Sequence, residues 1–132
     1  MTAQQRIDLY SDTHTKPSPA MRKAMAEAEV GDEQRFEDPT VNKLCAMVAE
    51  LLGKEQAVFM PSGTMCNQIA FRVHCRPGDE IILDYTAHPI NSEAGGPAAM
   101  AMAQTRALHS ERGIFTADQV REAIRPSRRH NP

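Results

Sequence analysis

Tryptophan is absent from this 132-residue sequence, and two Tyr with four Phe bring the aromatic share to only 5%. Aromatic bulk therefore cannot fill a core, and eight Met together with many Ala must supply it. An excess charge of one sign is also missing, since 15 Lys and Arg stand against 17 Asp and Glu, a formal charge of −2. Without a basic excess there is no electrostatic footprint for a nucleic-acid backbone, so no nucleic-acid partner is expected. The apolar stretches fall far short of the roughly 20 residues of a membrane span, and no membrane association is expected. The first eight residues contain no apolar segment of the kind a secretory signal needs. Cysteine is sparse: Cys45, Cys66 and Cys75 are odd in number and lack CxxC spacing. A disulfide framework and a zinc site are both disfavoured, and a reducing cytoplasm is the expected compartment. The acidic cluster of Asp32, Glu33, Glu37 and Asp38 matches no calcium-loop spacing, so no metal site is expected.

What remains is the composition of an ordinary globule, with 41% hydrophobic and 24% charged residues. Residues 1–6 read as a flexible polar tail, and Ile7–Tyr10 as a short extended piece. Ser18-Pro19 supplies a cap and a first-turn proline for a helix to about Glu29, with Met21, Ala24, Met25 and Ala28 on one stripe. Asp38-Pro39 repeats that start, and Gly53 stands where a terminating glycine belongs. Gln56–Met60 is a short apolar run between turn residues and reads as a buried strand. A helix from about Thr64 to His74 and a second buried strand, Glu80–Asp84, would complete a right-handed βαβ unit. Asn91–Ala103 reads as a helix whose start is blurred by Gly95, Gly96 and Pro97, and Thr105–His109 as another strand. Thr116 caps a last helix, with Gln119 placed to close a capping box. The polar, basic tail from Pro126 to Pro132 carries no structural stop and reads as a cut rather than an end. The alternation predicts an α/β fold with a mostly parallel sheet, which needs cover on both faces.

Chemistry concentrates at Pro61-Ser62-Gly63-Thr64, where a strand hands over to a helix. First-turn N–H groups lack internal partners, and the helix dipole adds partial positive charge there. Gly63 permits close approach and the two hydroxyls add donors, a pattern that suits a lone phosphate monoester. It is neither a Walker loop nor a dinucleotide fingerprint. The same residues equally read as a plain cap and turn. His88 follows the next strand by four residues, at the carboxyl edge where ligands of α/β sheets collect. Its imidazole can stack on a flat ligand or move a proton near neutral pH, or stand idle in a loop. His74 reads as a helix-end residue, and His14 and His109 have no local partner in the sequence.

Many short segments then share one order with a known family. These are Ile7-Asp-Leu-Tyr-Ser-Asp-Thr-His-Thr-Lys-Pro17, Glu29-Val-Gly-Asp32, Glu37-Asp-Pro-Thr-Val-Asn42 and Leu51-Leu-Gly-Lys-Glu55. Pro61-Ser-Gly-Thr-Met-Cys-Asn-Gln68, Gly78-Asp-Glu80, Ala87-His88 and Glu93-Ala-Gly-Gly96 continue the series. Together they resemble the low-specificity L-threonine aldolases of the β-eliminating lyase group, from Ile7 to His130. The resemblance implies the large domain of fold type I of the pyridoxal 5'-phosphate (PLP) enzymes, with residues 7–132 forming its N-terminal, incomplete portion. It also implies a homodimer or homotetramer and retro-aldol cleavage of L-threonine, or a related 3-hydroxy amino acid, to glycine and an aldehyde.

Carried over by position, Ser62, Gly63 and Thr64 match the loop that binds the PLP phosphate. His88 matches the histidine that stacks on the cofactor ring near the substrate hydroxyl. Ser11 matches a serine near the substrate carboxylate, and His130 a second histidine that reaches the β-hydroxyl. Where the family commonly reads Val-Tyr-Gly-Glu-Asp, this chain reads Gln34-Arg-Phe-Glu-Asp38. Arg35 thus replaces a tyrosine, and either meets a substrate carboxylate through a bidentate contact or lies on the surface. The only lysines are Lys16, Lys23, Lys43 and Lys54, and none resembles the family's Schiff-base segment. The chain alone is therefore expected to be inactive. PLP-dependent β-elimination of a 3-hydroxy amino acid, or a non-catalytic remnant that only binds, are the other two readings.

Overall fold

The computed structural model describes residues 7–126. The chain divides into two compact units between Phe59 and Met60.

In the first unit, Ser11 caps a 3-10 turn at Asp12–His14, and Ser18 caps helix α1, Pro19–Glu27, by accepting from the Met21 N–H at 3.2 Å. Ile7–Tyr10 belongs to no strand. A second 3-10 turn, Glu33–Arg35, leads through Phe36 at φ 59° into helix α2, Pro39–Leu52. Asp38 does two things at that junction. One carboxylate oxygen accepts from the Val41 N–H at 2.9 Å as a helix cap, and the other accepts from the Gly31 N–H at 3.0 Å. Thr40 Oγ1 adds a bond to the Glu29 carbonyl at 2.6 Å, so the loop before α2 is strapped onto its first turn. Gly53 ends α2 in the left-handed conformation at φ 60°, as the sequence predicts, and the Lys54 N–H donates to the Ala49 carbonyl at 2.9 Å.

The expected buried strand at Gln56–Met60 does not form. A strand exists only where a neighbour completes its hydrogen-bond ladder, and among the described residues none does. Instead Val58 and Phe59 are exposed and line, with Val41, Cys45 and Ala49, an apolar groove beside α2. The predicted βαβ unit therefore shifts along the chain.

In the second unit, helix α3 (Gly63–His74) is followed by strand β1 (Glu80–Asp84), helix α4 (His88–Asn91), helix α5 (Gly96–Ala101), strand β2 (Gln104–Leu108) and helix α6 (Ala117–Ala123). β1 and β2 pair in parallel with Glu80 opposite Gln104 and Asp84 opposite Leu108, so α4 and α5 form the crossover. The helix expected at 91–103 is reduced to α5, because Ala94 and Gly95 take positive φ and turn the chain between α4 and α5. Pro97, Ala101, Ala103 and Ala123 are the buried apolar centre, a core of small residues consistent with the scarcity of aromatics. Glu80 holds the far end of the sheet, pairing with Arg106 at 3.0 Å and Arg125 at 2.9 Å. α6 carries the expected box, with Thr116 and Gln119 each accepting from the other's backbone N–H. Among the described residues, no helix is long and apolar enough to cross a membrane, and no cluster of His, Cys, Asp or Glu is arranged to hold a metal ion.

Candidate active site

Ser62 has extended backbone angles and its Oγ accepts from the Met65 N–H at 3.2 Å, which starts α3 at Gly63. That single cap leaves the Gly63 and Thr64 N–H groups without an intrahelical acceptor. Ser62, Gly63 and Thr64 are all exposed. A Cβ built at Gly63 would meet nothing within 4 Å, so the space before the helix is open on the protein's side. Two free N–H groups, a threonine hydroxyl and the positive end of a helix of 12 residues form a donor set for a small dianion.

His88 opens α4 just beyond the carboxyl end of β1, where Ala87 N–H donates to the Asp84 carbonyl at 2.9 Å and turns the chain. Its Nδ1 lies 2.8 Å from Glu93 Oε1. The Glu93 side chain has no exposed surface, whereas the imidazole is 61% exposed. Two amides of α3 reach the same carboxylate: Asn67 Nδ2 donates to Oε1 at 2.7 Å and Gln68 Nε2 to Oε2 at 2.5 Å. The donated bond from His88 first, and then that from Asn67, hold the Glu93 carboxyl below its ordinary range against the opposing effect of burial. Asn67 lies four residues beyond Gly63, roughly 6 Å along the helix axis. One carboxylate thus ties the helix that Ser62 caps to the histidine past the strand end.

Asp84, the last residue of β1, is buried beside this edge. Ser110 Oγ donates to one of its oxygens, and Thr86 donates to the other from Oγ1 at 2.5 Å and from N–H at 2.9 Å. These donors, Ser110 foremost, lower the carboxyl to about 2. Tyr85 and His109 stack across the same edge with ring centres 4.4 Å apart.

Ser11 and Arg35 lie in the first unit and are locally engaged. Ser11 Oγ contacts Thr13 Oγ1 at 2.9 Å, and Arg35 Nε lies 3.5 Å from Asp32 Oδ2 with its side chain exposed. No bond joins the two. His130 lies outside the described residues, as does the 1–6 tail. Glu93, Asn67 and Gln68 were not foreseen as site residues, although they stand inside two of the segments that carry the family resemblance. Only the five-residue step from His88 to Glu93 hinted at the pair, and α3 reaches it from 26 and 25 residues away.

A helix start with free N–H donors and an exposed imidazole past a parallel strand, linked through the Glu93 carboxylate, give this α/β unit the kind of groups a phosphorylated ligand needs. The profile of the beta-eliminating lyase family matches residues 8–132, and the chain belongs to that family of PLP-dependent fold type I lyases. It is 44% identical over 125 residues to the low specificity L-threonine aldolase of Escherichia coli strain K12, covering 94% of this chain and 38% of that protein. A probable low-specificity L-threonine aldolase 2 of Arabidopsis thaliana is 43% identical over 121 residues, covering 90% and 34%. The Saccharomyces cerevisiae low specificity L-threonine aldolase is 43% identical over 97 residues, covering 73% and 25%. The chain thus spans well under half the length of these relatives.

The donor set at Ser62–Thr64 fits the cofactor's phosphate, and the exposed His88 imidazole fits the face of a planar ring.

Proposed function

We propose that the protein carrying this segment cleaves L-threonine or a related 3-hydroxy amino acid to glycine and an aldehyde, with PLP as cofactor. The observation that supports this most is the Glu93 carboxylate, which links the helix that starts at the Ser62–Thr64 donors to the His88 imidazole. When bound, PLP supplies an acceptor for the electron pair left at the substrate's Cα. Gly63 and Thr64 would donate to its phosphate and so anchor it. His88 stacks on the ring face, and its Nε2 takes the proton from the substrate's β-hydroxyl as the Cα–Cβ bond breaks. Ser11 and Arg35 bind the substrate carboxylate, Arg35 through a bidentate contact. By its match to the family, His130 is the second histidine assigned to the β-hydroxyl. The assembly is a homodimer or homotetramer in the cytoplasm.

The test is product analysis of the PLP-loaded protein with L-threonine. Glycine and acetaldehyde in equal amounts support the proposal, and ammonia with a keto acid replaces it with β-elimination. The 132-residue chain by itself is expected to show no turnover, since none of Lys16, Lys23, Lys43 and Lys54 lies in a segment resembling the family's Schiff-base segment. Enzyme-like release of glycine by that chain alone would overturn this expectation.

A further inference from the structure

We infer that Glu93 is a positioning residue for His88: its buried carboxylate holds the imidazole as the Nδ1–H tautomer and leaves Nε2 as the free lone pair. The inference rests on the role proposed above for His88 and adds what makes that role possible. An ionised carboxylate only accepts hydrogen bonds, so the 2.8 Å contact between Nδ1 and Oε1 is made by a proton on Nδ1. In the neutral ring Nε2 is then an acceptor, and among the described residues nothing bonds to it. The same division of labour, in which one ring nitrogen is held by a carboxylate so that the other can work, orients histidines in metal and proton-transfer sites.

Three features build the holder. Asn67 and Gln68 take one carboxylate oxygen each, so Glu93 cannot rotate away from His88 without breaking two further bonds. Gly96 makes room for this, because a Cβ there would stand 2.5–2.7 Å from the Gln68 amide. Ala94, next to Glu93, takes φ 50°, a costly conformation for a residue with a Cβ, and with Gly95 at φ 74° it turns the chain away at once. Gln68 Oε1 is buried without a donor. The protein accepts that loss to aim Nε2 at the carboxylate.

An acceptor serving only the α3 amides would not need a charge, and a neutral amide at position 93 would serve as well. The tautomer of His88 separates these roles, and it is readable without cofactor. Two- and three-bond proton–nitrogen correlations on protein with 15N-labelled histidine, at about pH 8.5 where an ordinary imidazole is neutral, report it directly. The His88→Gln variant assigns the signal. His88 is expected to be mainly Nδ1–H in the wild type, opposite to the preference of a free histidine ring. Glu93→Gln should turn it to a mixture or to mainly Nε2–H, while Asn67→Ala, which keeps the carboxylate, should leave it mainly Nδ1–H. A wild-type ring that is mainly Nε2–H overturns the inference, whether or not either variant folds. So does an unchanged tautomer in folded Glu93→Gln. Failure of the same protein to bind PLP would remove the cofactor role of His88 and leave the tautomer result standing.

Discussion

Asp84 closes β1 with a buried carboxylate surrounded by hydroxyl and amide donors rather than by cations. Those donors favour the ionised form, lowering it from 3.8 to about 2. Glu93 is shifted in the same direction, chiefly by His88. For a carboxyl depressed by folding, the unfolded chain binds the proton first as acid is added, so the stabilisation is complete above the ordinary value and disappears on the way down to the folded one. Thermal midpoints should accordingly fall between about pH 4 and pH 2, and Asp84→Asn should lower the midpoint at neutral pH while flattening that acid decline. Equal slopes for wild type and variant in a series of melts would remove Asp84 from this role. Gly63 carries a second prediction at this scale. Because nothing lies within 4 Å of its would-be Cβ, Gly63→Ala should leave the melting temperature unchanged. The added methyl group narrows the approach of a phosphate, and PLP affinity measured by fluorescence titration should fall about tenfold, or roughly 1.4 kcal/mol.

At the scale of elements, helix boundaries were legible because their determinants are local. Ser18-Pro19, Asp38-Pro39, Ser62 and the Thr116–Gln119 pair satisfy first-turn N–H groups within three residues, and each starts a helix where the sequence places it. Thr116→Ala should cost about 1 kcal/mol in urea unfolding, since it opens the capping box. A second cost belongs to the strap before α2. A Cβ on Gly31 would stand 2.3 Å from the Glu37 carbonyl oxygen, a clash with backbone that cannot swing aside. Gly31→Ala should therefore destabilise by about 1–3 kcal/mol in the same measurement, and a neutral result would mean that the loop yields. Strands were less legible. Gln56–Met60 and Glu80–Asp84 look alike as short apolar runs, yet only the second finds a parallel neighbour among the described residues. Nothing inside either run distinguishes them, because pairing is a property of two segments.

For the molecule as a whole, the amount of apolar surface left uncovered stands out. Met21 and Met25 on α1, Leu44, Met47 and Leu51 on α2, and Val58 and Phe59 after it are all exposed. The β1–β2 pair, with Ile81, Ile82 and Leu83 only half-buried, has two edges open to further pairing among the described residues. Surfaces of that kind drive association in water. The 132-residue chain is expected to sediment as concentration-dependent oligomers in analytical ultracentrifugation, and a monodisperse monomer across a hundredfold range of concentration would contradict this.

Helix starts, the capped turn at Ser62–Thr64 and the family resemblance are all written in contiguous residues, since capping, turn chemistry and motif order act over a few positions of the chain. The His88–Glu93–Asn67–Gln68 cluster and the Asp84–Ser110 bond are not written that way. They join side chains from separate elements, up to 26 residues apart, that only packing brings within hydrogen-bond reach. A buried carboxylate needs every partner in place at once, so its position and its ionisation were decided by the fold rather than by any local pattern.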